Sequence, residues 1–377
     1  MNFWPFQVLH NFTGCADGYR PTSTLLIDSS GSLYGTTLAG GSVCGDTGQG
    51  VVFRLKRSGE SWVLAPLHTF AGGTGDGKTP YDYSGLIFGP DSAIYGTTFS
   101  GGASNFGTVF SLRPPATACH SALCPWSETL LTSFALPLYN PYSGVVFDSA
   151  GNLFGTALAA HVYELSSSGG NWTASVLSDQ GGRIVANIAL GPDGNLYGVN
   201  IDQGLGQGTV FQLVPSGSGW NLNVLREFMG ESDGDEPLGG LIFDSAGNLY
   251  GTTSQGGLNG GGTVFEMSPA GGGWTFNTIY ALSGFTAGGP QSALTLDAAG
   301  NLYGTTQFDG QFNSGQVFKL TRSGDSWTFT DLHDFYINND EGIYPIGGVT
   351  LYSNGNLYGT ASQSGANGAG SVWEITP

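Results

Sequence analysis

A few charged and aromatic residues interrupt an otherwise repetitive sequence, and they include the side chains best suited to chemistry. Asp82 and Asp202 could act as the general acid and general base of a glycoside hydrolase, because such enzymes use a pair of carboxyl groups. His161 with Tyr83 could instead abstract a proton, as a polysaccharide lyase requires. The sequence contains no nucleophile elbow, phosphate-binding loop or zinc-type Cys/His motif. Catalysis is therefore a hypothesis that depends on these side chains.

The same departures from the repeat also suit a ligand site. Arg183 lies in "SDQGGRIVANIAL", which lacks the proline of its counterparts, and Asn200 belongs to a Val-Asn pair that replaces the usual Thr-Thr. The loop from Phe154 to Val162 spans 8 positions where most copies have 14, which predicts a notch in the rim. Ordinary loop variation is the competing explanation. The predicted ligand-binding residues are Arg183, Tyr83, Tyr142, Asn200, Gln291 and Asp309.

Two further groups of polar residues have simpler explanations. Calcium could bind an acidic loop, although the spacing is not that of an EF-hand and Asp/Gly before Pro is typical of turns. The residues of this calcium hypothesis are Asp233, Asp235 and Glu236, and no other cofactor is predicted. Three histidines share one register of a repeated strand and are interpreted as structural: His10, His68 and His333.

A recurring sequence motif, "GNLYGTT", marks the structural elements that must position these side chains. Its aromatic residue recurs at Tyr34, Tyr95, Phe154, Tyr197, Tyr250, Tyr303 and Tyr358, with spacings of 43 to 61 residues. Each copy contains four short strand-like runs separated by Asp/Gly/Asn turns, without helical periodicity. This pattern predicts an all-β, seven-bladed β-propeller with four antiparallel strands per blade.

The two ends of the chain predict how the ring closes. The last copy stops at "GSVWEITP", after its third strand, whereas the opening "FWPFQVLHNF" resembles fourth strands such as "SWVLAPLHTF". We therefore expect residues 1–12 to complete blade 7, so that residues 1–377 form a single domain. The blades are expected to begin near residues 22, 84, 143, 184, 239, 292 and 347.

The full repeat, "P-x-GGLIFDSAGNLYGTTSQGG…GTVFEM…WTFNTIYAL", resembles the GloVer-type tandem repeat of bacterial extracellular proteins. This resemblance covers nearly the whole chain and implies a secreted or cell-surface propeller, but it implies little about biochemistry. A looser similarity links the "D-x-x-G-N-L-Y" turns to other propellers, some of which bind sugars or are lactonases or lyases. That similarity concerns the fold, which does not determine function.

Charge and cysteine content narrow the possible partners. A net charge of −18 with only 10 Lys and Arg argues against nucleic acid and anionic membranes, and leaves a cationic ligand as a minor alternative. Cys15 and Cys44 fall in two loops expected on one face of blade 1, so we expect a disulfide between them. Cys119 and Cys124 are close enough for a local disulfide. Paired loop cysteines favour an oxidising compartment.

These observations combine into one functional prediction with two alternatives. We expect a monomeric extracellular or cell-surface propeller that binds a polar small molecule or glycan on the face around its central channel. The first alternative is a glycoside hydrolase or polysaccharide lyase with its site at the notch of blades 3 and 4. The second is a purely structural or interaction propeller. No run of the sequence reaches transmembrane length, and the opening "MNFWPFQVLH" lacks the pattern of a signal peptide.

Overall fold

The computed structural model describes residues 4–81, 85–115, 126–217, 219–284, 288–324, 326–338 and 340–377. They form a ring of seven four-stranded antiparallel sheets, which confirms the predicted seven-bladed β-propeller. No helix of this described part is long and apolar enough to cross a membrane. Its one helical element is a 3-10 turn at Gly45–Thr47.

Within each blade the chain runs from the innermost strand to the outermost strand. The strands of blade 1 are Leu26–Ile27, Leu33–Ala39, Val51–Ser58 and Ser61–Thr69, and those of blade 2 are Ile87–Phe88, Ile94–Thr98, Thr108–Arg113 and Ser127–Ser133. The strands of blade 3 are Val145–Phe147, Leu153–Ala157, His161–Ser168 and Asn171–Asp179. The strands of blade 4 are Ala189–Leu190, Leu196–Asn200, Thr209–Ser216 and Gly219–Glu227. Those of blades 5 and 6 are Ile242–Phe243, Leu249–Thr253, Gly260–Ala270 and Gly273–Ser283; Thr295–Leu296, Leu302–Thr306, Gln316–Ser323 and Ser326–Asp334. Short additional strands occur at Tyr19–Pro21, Gly77–Lys78 and Ser100–Gly101.

Blade 7 closes the ring with strands from both ends of the chain. Its first three strands are Thr350–Leu351, Leu357–Ala361 and Ser371–Ile375. The N-terminal strand Phe6–Asn11 pairs antiparallel with Ser371–Ile375 and becomes the outermost strand of the blade. The predicted closure is therefore confirmed, because strands from the two ends of the chain pair within one blade.

The recurring phrase forms the second strand of every blade. Five residues of the phrase, Leu249 to Thr253 in blade 5, are buried, and so are their counterparts in the six other blades. They are buried because neighbouring blades cover both faces of the strand. The aromatic ring packs against the outer-strand tryptophan of the next blade, with ring centroids 5.9–6.2 Å apart in five of the interfaces. The phrase and the tryptophan together form the interface between blades.

The glycine of the phrase is required by the third strand. A Cβ atom on Gly96 would lie 2.7 Å from Cζ of Phe110 and 2.9 Å from Cδ2 of Leu86, closer than real Cβ contacts. The backbone φ of Gly96 is not in the left-handed region, so the requirement is steric. The absent side chain lets the Phe110 ring lie flat across the second strand.

Replacing Gly96 by alanine is expected to destabilise the propeller by about 1–3 kcal/mol, the usual range for overpacking a dense core. Urea unfolding followed by tryptophan fluorescence would measure this loss as a lower midpoint with an unchanged slope. Gly273→Ala is the matched control, because the nearest atom to its added Cβ is 3.8 Å away. Equal midpoints for the two variants would contradict the steric role of Gly96.

We use "entry face" for the side of the ring that carries two kinds of loop. One kind leads into the innermost strands and includes residues 134–144 and 180–188, and the other joins second and third strands and includes residues 158–160 and 201–208. On this face a disulfide links Cys15 to Cys44 across the two loops of blade 1, as predicted. Cys119 and Cys124 lie outside the described residues.

Candidate functional site

The entry face at blade 4 is built by two loops that are joined by hydrogen bonds from two amide side chains. Nδ2 of Asn200 donates a hydrogen bond to the Gly181 carbonyl at 3.0 Å, and Nε2 of Gln203 donates to the Gln180 carbonyl at 2.8 Å. Asn200 itself has no exposed surface. This predicted ligand-binding residue therefore supports the loop that carries Arg183.

Arg183 and Asp202 form a two-point ion pair at the surface of these loops. Nε and Nη2 of Arg183 donate to the two carboxylate oxygens of Asp202 at 2.8 and 3.0 Å. Their side chains are 55% and 38% exposed, so the pair faces solvent. The hydrogen bonds from Arg183 to Asp202 raise the pKa of the guanidinium, and the charge of Glu236 and the phenol of Tyr142 add to this effect. Arg183 thus interacts electrostatically with residues of blades 3, 4 and 5.

Tyr142, which interacts electrostatically with Arg183, forms an aromatic cluster with Tyr81 and Phe99. The ring centroids of Tyr142 lie 4.9 Å from Tyr81 and 5.0 Å from Phe99, and those of Tyr81 and Phe99 are 5.1 Å apart. All three rings keep partial exposure. The Asn187 side chain accepts a hydrogen bond from the Gly144 amide at 2.7 Å, which joins the strand after Tyr142 to the loop of Arg183.

The predicted catalytic residues are only partly placed together. The short loop from which the notch was predicted is a three-residue turn, in which Ala159 and Ala160 adopt positive φ angles. His161 follows it and is buried, with Nδ1 2.9 Å from the Leu158 carbonyl oxygen and Nε2 3.8 Å from Asp179, so both contacts belong to blade 3. Both carboxylate oxygens of Asp202 are engaged by Arg183. Asp82 and Tyr83 lie outside the described residues.

In the acidic loop that leads into blade 5, the guanidinium of Arg226 binds the carboxylate of Asp233. Asp233 is buried and accepts hydrogen bonds from Arg226 and from the Met229 amide at 2.9 Å. Asp235 accepts from the Glu236 amide at 2.7 Å, and burial raises the pKa of its carboxyl. Among the described residues the one group of three metal-ligating side chains lies elsewhere, between blades 1 and 2.

A pairing of outer strands with entry-face loops recurs around the ring and was not foreseen from the sequence. A basic residue of the outer strand contacts an acid 7 or 8 positions later, and that acid also accepts a backbone amide of the loop. The pairs are His10 with Asp17 at 3.1 Å, His68 with Asp76 at 3.3 Å, His333 with Glu341 at 3.3 Å, and Arg226 with Asp233. The regular spacing was the available signal, and it supports the structural interpretation of the histidines.

Within the part of the chain that the structure describes, the cavity at the centre of the ring is too small for a sugar. This cavity has a volume of about 40 Å³, and its lining includes small residues, Leu238, Ile346 and Gln291. The side-chain amide of Gln291 donates a hydrogen bond to Gln307. Ligand pockets usually measure roughly 300–1,000 Å³. Gln291 therefore lies at the centre of the face, and a larger ligand would have to bind beside the channel.

A groove between the outer parts of blades 5 and 6 brings together carboxyl groups that the sequence analysis did not select. It has a volume of about 450 Å³, and the stacked rings of Tyr280 and Phe329, 4.7 Å apart, line it beside Asp331 and Asp334. Burial and the neighbouring Asp334 raise the pKa of Asp331 to about 6. The signal was again a departure from the repeat, because the other outer strands have Pro, Leu, Val or Thr at this position.

Asp309 lies in the entry-face loop next to this groove, but its carboxyl group points into the protein. The residue is 1% exposed, and within the described ranges neither carboxylate oxygen has a hydrogen-bond partner. Burial raises the pKa of the Asp309 carboxyl to about 7. This predicted ligand-binding residue is thus a buried, unpaired acid.

The fold and these surfaces define a seven-bladed β-propeller whose entry face carries an exposed ion pair and an aromatic cluster. Models of the Gloeobacter/Verrucomicrobia repeat match residues 4–159, 127–275 and 184–377, so the chain belongs to this repeat family. A search of curated protein sequences gave no match.

Solved propellers are similar in fold. An ulvan lyase of family PL25 has 9% identity and a TM-score of 0.54, with 97% of this chain and 96% of that chain covered. An ancestral GH74 enzyme has 12% identity and a TM-score of 0.54, but 95% of this chain covers only 51% of that one. A protein of unknown function from Dyadobacter fermentans has 13% identity, a TM-score of 0.50 and 99% coverage of both chains.

Proposed function

We propose that this protein binds a hydroxyl-rich glycan on the entry face of blades 2 to 4. The observation that carries the proposal is the exposed ion pair of Arg183 and Asp202 beside the aromatic cluster. A guanidinium has five N–H donors, and only two of the Arg183 groups are used by Asp202. The remaining N–H groups of Arg183 can donate to sugar hydroxyl oxygens, and the carboxylate of Asp202 can accept hydrogen bonds from sugar hydroxyls. Neighbouring hydroxyls of a sugar can form both kinds of hydrogen bond at once.

The charge around the ion pair favours a neutral sugar over a uronate. Asp202 and Glu236 both interact with Arg183, so the local balance of charges is negative, as is the net charge of −18. An acidic ligand would meet repulsion in this field. The aromatic cluster adds a partly exposed apolar surface on which a sugar ring could rest. The solved ulvan lyase was bound to -[GlcA(1-4)Rha3S]-, which supports a glycan as the ligand class on a propeller of this fold.

A glycan array of neutral and uronate-containing oligosaccharides, followed by calorimetry on any positive sugar, tests this proposal. We expect Arg183→Gln to weaken binding of a neutral oligosaccharide at least tenfold, because it removes the charge and most of the donors. Arg20→Gln is the matched control, since Arg20 pairs with Asp46 at 3.7 Å and belongs to blade 1. Equal loss in both variants, or no loss in Arg183→Gln, would refute the site.

Glycan cleavage is a second candidate function, and the Asp331–Asp334 pair favours it. A carboxyl group with a pKa of about 6 beside a second carboxyl can serve as a general acid at neutral pH. The hypothesis from the sequence instead places catalysis at the notch, with Asp82 and Asp202 as acid and base or His161 with Tyr83 as a lyase pair. Product analysis on a bound glycan separates the two sites, because Asp331→Asn would abolish cleavage at the groove and Asp202→Asn would abolish cleavage at the notch. Binding without products in the wild type would exclude both.

We infer an extracellular or cell-surface location for this activity. The Cys15–Cys44 disulfide supports an oxidising compartment, and the bacterial repeat family is consistent with export.

A further inference from the structure

Three side chains with metal-binding chemistry converge between the outer strands of blades 1 and 2. Nε2 of His68 lies 3.3 Å from Oδ1 of Asp76 and 3.6 Å from Oε2 of Glu128. One ligand atom from each residue falls within 4.8 Å of the other two. The three side chains are only 11–17% exposed, so the cluster is largely enclosed but still reachable from solvent.

Glu128 is the member of this cluster that breaks the repeat. Counted from the outer-strand tryptophan, the same position is apolar in the six other blades: Phe6, Leu64, Ala174, Leu222, Phe276 and Phe329. Two of these side chains cover the outer-strand base of the preceding blade, since Phe6 stacks on His333 at 3.8 Å and Phe276 lies 4.2 Å from the Arg226 guanidinium. In blade 2 a carboxylate stands where the ring elsewhere has a hydrophobic cover.

The hydrogen bonds around the cluster direct its ligand atoms toward one another. Oδ2 of Asp76 accepts the Ala71 amide at 2.6 Å, which orients the carboxylate and leaves Oδ1 directed at His68. Oε1 of Glu128 is buried and has no hydrogen-bond partner in the described part of the chain. A buried carboxylate oxygen without a donor is costly unless a cation compensates it.

We propose that His68, Asp76 and Glu128 form a Zn²⁺ site that clamps blade 1 to blade 2. In a tetrahedral zinc site with bonds of about 2.0–2.1 Å, neighbouring ligand atoms are about 3.3–3.4 Å apart, close to the two distances from His68. An imidazole between two carboxylates suits zinc, whereas calcium prefers six to eight oxygen ligands. Three protein ligands leave the fourth position for water. This site shares no residue with the proposed glycan surface.

Zinc binding to tag-free, EDTA-treated protein tests the proposal by calorimetry with ZnCl₂ and by metal analysis after dialysis. We expect one Zn²⁺ per chain and a rise in the unfolding temperature on its addition. Glu128→Leu should fold, because leucine occupies the equivalent position 64, and should bind Zn²⁺ at least 100-fold more weakly. Glu128→Gln, which keeps the size of the side chain, should lose the ion equally.

His10→Ser is the matched control, because His10 has the same register and its own acid, Asp17, at 3.1 Å, but Leu64 in place of the third ligand. It should keep one Zn²⁺ per chain, whereas His68→Ser should lose it. Wild-type affinity in Glu128→Leu or in His68→Ser would overturn the proposal, as would the absence of stoichiometric Zn²⁺ in the wild type.

Discussion

Asp309→Asn is expected to reduce the loss of stability that this protein undergoes as the pH rises from 4 to 8. The carboxyl group of Asp309 is 1% exposed and unpaired among the described residues, and burial raises its pKa from 3.8 to about 7. A shift of about three pKa units corresponds to up to about 4 kcal/mol at a pH where the folded group must be ionised.

The direction of the effect follows from proton linkage. The folded pKa of Asp309 is raised, so between pH 4 and pH 7 the unfolded chain loses this proton while the folded chain retains it. The cost is absent below the unfolded pKa, grows through this window and is complete above pH 7. The change in unfolding free energy caused by Asp309→Asn should therefore be more favourable at pH 8 than at pH 4, by up to about 4 kcal/mol.

Urea unfolding at pH 4, 6 and 8 measures this difference between variant and wild type. The pH dependence is the informative quantity, because a buried asparagine also lacks a partner and shifts the free energy equally at every pH. Ser314→Ala, a change in the same loop that does not titrate, should shift stability by one amount throughout. A pH-independent effect of Asp309→Asn would show that the group is not ionised at a cost in the folded ring.

The second large effect is expected from the disulfide between Cys15 and Cys44. The two residues are 29 positions apart, and a closed loop of this length lowers the entropy of the unfolded chain enough to stabilise the fold by about 3.5 kcal/mol. Cys15→Ser combined with Cys44→Ser should lower the unfolding free energy by about that amount. Denaturant unfolding at one pH is the measurement.

The double serine variant is preferable to a reductant, because a reductant would also break the disulfide that the sequence predicts between Cys119 and Cys124. Ser42→Ala, an exposed position in the same loop, controls for substitution as such and should leave the midpoint unchanged. If the double variant keeps the wild-type midpoint, the bond contributes nothing to the equilibrium and its role lies elsewhere.

The fold could be predicted from the sequence because the same packing requirements apply in every blade and therefore select the same residue types in every repeat. Gly96 and its counterparts must lack a side chain, the aromatic residue before them must fill the interface, and the outer-strand tryptophan must cover it. Each of these requirements falls on one residue type at one repeat position. Because the pattern occurs seven times, the sequence predicts the number of blades. The N-terminal segment that resembles a fourth strand predicts how the ring closes.

The candidate sites were harder to predict from the sequence, because they depend on contacts between blades rather than on contacts within one blade. Glu128 and His68 belong to different repeats, and their proximity requires knowing that the outer strand of one blade covers the outer strand of the preceding one. Aligning the copies marks Glu128 and Asp331 as unusual, but the alignment alone does not say what they face. The position of Arg183 on the entry face was predicted, whereas its pairing with Asp202 depends on two loop conformations.

Closure of blade 7 also sets a schedule for biosynthesis. Phe6–Asn11 is synthesised before the other strands of the ring and its partner Ser371–Ile375 after them. At 5–20 residues per second, roughly 20–70 s separate the two. During that interval the N-terminal strand has no partner, and the growing stack of blades keeps an apolar face open at each end. A circular permutant with its ends in the hairpin of one blade would make that pairing local and should shorten the period of exposure.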